Sequence, residues 1–163
     1  MSTVRKATME DRQQVWRLLL QSHTENGIFP LSPKKVDYLL DRVLSPEIIH
    51  PMDQGPRGEI AVIGPEGALE AMCFVLIGSF WYSDEVHLEE LLIYIDPEFR
   101  KSTHAKTLIE WMKTTADCLG IKLFTGVVSN HRTEAKVRLY ERQLPKVGAF
   151  FLYPDNNSNK RLQ

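Results

Sequence analysis

Leu88-Glu89-Glu90-Leu91-Leu92-Ile93-Tyr94-Ile95-Asp96-Pro97-Glu98-Phe99-Arg100-Lys101-Ser102-Thr103-His104-Ala105-Lys106-Thr107-Leu108 is the stretch that decides the fold. The strand that ends in Ile93-Tyr94-Ile95 is apolar on both faces over its second half, as a central strand covered above and below would be. Asp96-Pro97 stops it, a short polar loop follows, and an amphipathic helix opens. Strand, loop and helix N-terminus in that order make an anion cradle. First-turn amides have no partner inside their own helix, and the helix dipole adds partial positive charge beside them. The stretch therefore predicts a phosphorylated ligand.

Upstream, the strand is predicted to begin at Val86, after a turn at Trp81-Tyr82-Ser83-Asp84. Glu59 to Ile63 and Ala68 to Phe80 read as strands of a hairpin joined by Gly64-Pro65-Glu66-Gly67. Val4 to Ala7 reads as a first strand. Thr8 with Asp11 caps a helix from Met9 to Ser22 that turns Val15, Leu18 and Leu19 inward. Ser32 caps a second helix with Pro33 in its first position and Val36, Leu39, Leu40 and Val43 on one stripe, stopped by Ser45-Pro46. His50 to Gly58, rich in Pro, Gly and polar residues, predicts a mobile rim.

Downstream, the helix after the loop directs Ala105, Leu108, Met112, Thr115 or Ala116, and Leu119 to a core, and Gly120 suits a left-handed C-terminal cap. Ile121 to Val128 is a strand. A helix over about Arg132 to Gln143 places Ala135 and Leu139 on one line and Val137, Tyr140 and Leu144 on its neighbour, and Pro145 ends it. Val147 to Tyr153 is a closing strand, and 154–163 form a polar tail. The result is an α/β fold with about four helices, a single domain over 1–153.

The chain has 163 residues, 43% hydrophobic and 25% charged, which suits one core. Twenty Lys and Arg against twenty-one Asp and Glu leave a net charge of -1, so nothing at chain level recruits nucleic acid or an anionic membrane. Cys73 and Cys118 sit in apolar runs without metal-ligand spacing and read as small buried side chains. The start carries no apolar signal core and the longest apolar run, Ala71 to Ile77, is too short to span a bilayer, so the expected location is cytoplasmic. No Ser-His-Asp spacing, metal cluster or dinucleotide glycine fingerprint is present.

These joints resemble the GNAT superfamily of acetyl-coenzyme A-dependent N-acetyltransferases. The family's aliphatic-x-aliphatic strand end, Pro, and Arg/Gln-x-x-Gly-x-Gly/Ala loop are similar to Ile93-x-Ile95-x-Pro97-x-x-Arg100-x-x-Thr103-x-Ala105. Its later Asn…Ala…Leu-Tyr signature is similar to Asn130, Ala135 and Leu139-Tyr140. The closing segment is similar to that of short phage-encoded members. The resemblance implies a mixed, mostly antiparallel sheet splayed in a V, and acetyl transfer from acetyl-CoA to a small-molecule or protein primary amine in a ternary complex. Many relatives dimerise, so a homodimer is expected by analogy.

By the same resemblance, the pantetheine arm pairs with the strand at Ile93, Tyr94 and Ile95 and is hydrogen-bonded by Asn130. The pyrophosphate then lies on the amides from Arg100 through Lys101, Ser102, Thr103 and His104 to Ala105, with Arg100, Lys101 or Lys106 supplying charge. Thr103 replaces the family's Gly. A β-branched residue avoids positive φ, so either the loop tolerates it or coenzyme binding is lost and the chain is a GNAT-like protein-binding module.

Glu89, eleven positions before Arg100, matches the catalytic glutamate of the histone-acetylating branch, and Tyr140 matches the tyrosine that protonates the leaving thiolate. Glu90 points to the opposite face from Glu89 unless a bulge intervenes, while His87 shares the face of Glu89 and is an alternative base. His104 is a candidate phosphate donor. Trp81, Tyr82, Asp84 and Glu85, with Glu25, Asn26 and Phe29, are candidates for the acceptor side, where acid and aromatic rings suit a cation.

Overall fold

The computed structural model describes residues 3–45 and 57–154. The expected stop at Pro46, His50 with most of the rim loop, and the tail beyond Pro154 lie outside the described residues. The elements are β1 (Val4–Lys6), a 3-10 turn (Met9–Asp11), α1 (Arg12–Asn26), α2 (Pro33–Leu44), β2 (Gly58–Ile63), β3 (Ala71–Ser79), β4 (Val86–Ile95), a 3-10 turn (Pro97–Phe99), α3 (His104–Leu119), β5 (Lys122–Phe124) and α4 (Thr133–Glu141). The strands lie in the order β1-β2-β3-β4-β5, antiparallel except for the parallel pair β4 and β5.

Local chemistry sets the boundaries. Ser32 accepts the Lys35 amide with Pro33 in the first turn of α2. Gly120 closes α3 at φ 67°, its amide bonding to the carbonyls of Ala116 and Asp117, a left-handed cap that glycine adopts without strain. The first helix differs from expectation: Met9–Asp11 is a 3-10 turn, and the α-helix runs on to Asn26. Asp11 locks this entry, accepting the Thr8 amide at 3.0 Å and gripping Arg5 through two bonds of 2.7 and 2.8 Å.

Two layers of helix cover the sheet. On one face α1 and α2 bury Val15, Leu18, Leu40 and Val43 against Val62, Met72, Phe74 and Tyr94. On the other, Leu108, Ile109, Met112 and Ala116 of α3 pack on Ala61, Ile63, Cys73, Val75 and Leu88, with Leu139 and Tyr140 of α4 at the margin. Leu119 and Cys118 are exposed, contrary to expectation, because the buried stripe of α3 passes through Ile109 and Ala116 and leaves the last turn outside.

β4 carries a bulge. Phe74 pairs with Leu92 and Val75 with Glu90, so Leu91 is an extra residue and the pleat reverses there. Before it, Leu88 and Glu90 face α3 and α4; after it, Ile93 and Ile95 do, while Leu92 and Tyr94 face α1 and α2.

β4 and β5 pair only from His87–Lys122 to Glu89–Phe124 and then part, opening a V. The strand predicted over Ile121 to Val128 is thereby cut to three residues, since the chain beyond Phe124 has no neighbour to ladder with. The closing strand predicted over Val147 to Tyr153 does not form. Val147, Phe150, Phe151 and Tyr153 are 74–97% exposed, and an apolar run with strand-forming residues becomes a strand only beside a partner edge.

Candidate active site

The parted strands enclose a cleft of about 740 Å³ that passes through the sheet. From Glu90 to Ile95, β4 pairs with β3 on one edge and with no strand on the other. That free edge, including Ile93, Tyr94 and Ile95, lines the cleft.

Both neighbouring carboxylates of β4 line the cleft, on opposite faces of the sheet, and the bulge after them puts Glu90 on the same face as Ile93 and Ile95. Glu90 accepts the Tyr140 hydroxyl at 2.7 Å. Burial pushes the Glu90 carboxyl up to about 7, against the pull of the Tyr140 hydroxyl and the Ile93 amide. Burial, and then the charge of Glu90, raises the Tyr140 phenol well above its usual range. Burial likewise raises the Cys73 thiol, which lies near Glu90.

Glu89 sits on the α1 and α2 face, its side chain 45% exposed, with Oε2 at 3.8 Å from Nε2 of buried His87. Gly78 makes room for it: a Cβ at Gly78 would stand 2.7 Å from that carboxylate oxygen. Phe124 lies opposite Glu89 in the ladder, and His87, Phe80 and Phe124 pack ring to ring at 5.0–5.6 Å.

In the loop before α3, Thr103 has φ -90° and ψ 10°, so its β-branched side chain meets no positive-φ strain. Ser102 donates its amide to Phe99 and accepts the His104 amide on its hydroxyl, which withdraws two of the expected phosphate donors. Among the described residues no acceptor is recorded for the amides of Thr103, Ala105 and Lys106. The His104 ring turns inward, its Nε2 at 2.8 Å from Glu70, so its side chain is not a phosphate donor. Lys101 and Lys106 are exposed beside the loop.

Arg100 is engaged from across the cleft. Its guanidinium contacts both Glu25 oxygens at 2.6 and 2.7 Å and the Tyr94 hydroxyl at 3.2 Å. Burial works to raise the Glu25 carboxyl, but the bonds from Arg100 and Tyr94 outweigh it and hold it below the usual range. Burial and the Glu25 carboxylate push Tyr94 up to about 12. Asn130 gives its side-chain amide to the Gly27 carbonyl at 2.7 Å, while Lys136 bonds to Asn26 and, at 2.9 Å, to Ser129. Burial lowers the Lys136 ammonium.

Of the expected acceptor-side residues, Glu25 and Asn26 line the cleft, whereas Trp81, Tyr82, Asp84, Glu85 and Phe29 do not. Trp81 is 94% exposed, and Glu85 reaches Lys122 at 3.1 Å on the outside. Sequence reasoning missed the Glu25–Arg100 pair, 75 residues apart, and the Asn26–Lys136 pair, 110 apart, for which no local signal exists. Among the described residues no cluster suited to a metal ion occurs, and no helix is long and apolar enough to cross a membrane.

A five-stranded open sheet with helices on both faces and one parting of strands defines a class of α/β folds, and comparisons identify it. No protein-family model and no curated protein matches the chain. Solved structures do. A possible acetyltransferase from Clostridium difficile 630 superposes with a TM-score of 0.69 at 15% identity, covering 95% of this chain and 97% of that one. A predicted acetyltransferase from Clostridium acetobutylicum, solved with acetyl-CoA, gives 0.67 at 14% identity, covering 98% of each. A GNAT family acetyltransferase of Staphylococcus aureus gives 0.60 at 16% identity, covering 93% of this chain and 98% of that one. The chain has the GNAT fold.

Proposed function

We propose that the protein is an N-acetyltransferase that moves an acetyl group from acetyl-CoA to a primary amine while both are bound. The observation that carries this reading is the Tyr140–Glu90 hydrogen bond, set where β4 turns a free edge to the cleft.

The chain's own groups fit the coenzyme. A free strand edge offers backbone donors and acceptors to the amides of a pantetheine arm. The amides of Thr103, Ala105 and Lys106 at the start of α3, with Arg100 beside them, suit a pyrophosphate. Acetyl-CoA supplies an acyl group on a thiol leaving group. Glu89 takes a proton from the amine as the C–N bond forms, and the electron pair of the breaking C–S bond stays on sulfur. Tyr140 gives that sulfur its hydroxyl proton, and Glu90, half protonated near neutral pH, replaces it.

A thermal-unfolding titration tests the reading. Acetyl-CoA at about a hundred times its dissociation constant adds roughly 2.7 kcal/mol. At about 2–4 °C per kcal/mol for a chain of this length, the melting point rises by several degrees. A flat curve at millimolar ligand would move the reading to a noncatalytic protein-binding module.

A further inference from the structure

We propose that the acceptor is a primary amine carried on a compact apolar group, seated on the α1 and α2 side of the sheet with its nitrogen at Glu89. This rests on the acetyltransferase reading, and it commits to a substrate class that the fold leaves open.

The cleft has two mouths because it passes through the sheet. Tyr140, Ile93 and Ile95 face the α3 and α4 side. On the α1 and α2 side Leu19, Leu39 and Phe74 line the cleft, with Leu31 and Phe124 in the same lining and two carboxylates, Glu25 and Glu89, beside them. Glu25 is already bound by Arg100. Glu89 therefore remains, among the described residues of that mouth, the carboxylate with no arginine or lysine upon it, its nearest partner being the His87 ring at 3.8 Å. Gly78 leaves the space that its oxygen occupies, and Phe124, its neighbour in the ladder, adds an aromatic ring to the same lining, a group that attracts cations.

The polar groups nearest that side are already engaged: Ser22 is buried, the His23 Nε2 is held at 2.8 Å by the Phe29 carbonyl, and the Asn26 side-chain oxygen accepts from Ser129 and Lys136. An amino sugar would bury hydroxyls against leucine and phenylalanine without partners, which costs more than the apolar contact returns. An alkyl or aralkyl amine would bury methylenes there instead.

The test uses the full chain with saturating acetyl-CoA and follows release of the coenzyme A thiol. The acceptors are the n-alkylamines from butylamine to octylamine, phenethylamine, glucosamine and kanamycin. Each added methylene should lower KM by up to about fourfold, the factor for burying one CH₂. Leu39→Asn should flatten that slope, while Glu89→Gln should lower kcat/KM for every amine without changing the slope. Three results would overturn the proposal: glucosamine or kanamycin preferred, KM independent of chain length, or no turnover of any alkylamine although acetyl-CoA raises the melting point. If acetyl-CoA itself fails to bind, the acetyltransferase reading falls separately. The amine class is then decided by whether octylamine binds the protein more tightly than butylamine in NMR titrations.

Discussion

Replacing Glu90 by Gln should stabilise the ligand-free protein at alkaline pH and leave it nearly unchanged at acid pH. The Glu90 carboxyl moves from its ordinary 4.5 to about 7 on folding, chiefly through burial. Below 4.5 the folded and unfolded chains both hold the proton, and burial of the neutral acid costs no charge. Between 4.5 and 7 only the folded chain holds it, so stability falls as pH rises, and above 7 the full cost of an enclosed carboxylate is borne. At about 1.4 kcal/mol for each pH unit, that interval is worth about 3 kcal/mol. Because the cleft admits water, about 2–3 kcal/mol is the value to expect at pH ~8. A neutral amide of the same shape still accepts the Tyr140 hydroxyl and carries none of this cost. At about 2–4 °C per kcal/mol, the variant should melt roughly 4–12 °C above the wild type at pH ~8 and within a degree or so of it at pH ~4.5. Differential scanning calorimetry on both proteins at the two pH values decides it. An equal shift at both, or a loss at the higher pH, would refute the enclosed-carboxylate argument.

Tyr140→Phe should lower kcat by about 10²–10⁴ while acetyl-CoA still raises the melting point as in the wild type, which separates proton transfer from binding in steady-state kinetics. Arg100→Gln should weaken acetyl-CoA about tenfold or more by calorimetric titration, the loss of a charge-assisted contact to phosphate. Thr103→Gly should not tighten coenzyme binding, because φ at Thr103 is already -90°; chemical denaturation should show about 0.5–1 kcal/mol lost to the looser unfolded backbone. Asp11→Ala should cost about 2–3 kcal/mol in urea unfolding by leaving the Thr8 amide without its acceptor and Arg5 with the Gly64 carbonyl but no carboxylate. The pairing holds Asp11 below the usual carboxylate range, so its contribution is present above the ordinary value of 3.8 and fades as pH falls below it.

The bounds of β4 were legible because Ser83-Asp84 and Asp96-Pro97 bracket a strand-like run that ends in the uninterrupted apolar stretch Leu91 to Ile95. Ser32-Pro33 and Gly120 were legible because a cap is a local hydrogen bond or a local φ. The bulge was hidden for the opposite reason. Leu91-Leu92-Ile93 is apolar throughout, and a reversal of the pleat leaves no trace in residues that suit either face. With it was hidden the fact that Glu90, and not Glu89, meets Tyr140. The engagement of Arg100 by Glu25 and the inward turn of His104 toward Glu70 depend on segments brought together only by the completed fold. Val147 to Tyr153 carries the residue types of a strand, but the sequence does not state whether a neighbouring edge exists.

Leu91 also works as a phase shifter along β4. Deleting it would remove the bulge and leave every face as it is, because Glu90 opposite Val75 and Leu92 opposite Phe74 already alternate: Glu90 would still meet Tyr140 and Glu89 would still lie on the α1 and α2 side. If the proposed reading holds, positions ahead of the shift can vary to suit a new acceptor while those behind it keep the free edge offered to the coenzyme. One inserted residue thus gives a single strand two separately adjustable halves, a simple physical route by which acceptor range can diverge under an unchanging donor.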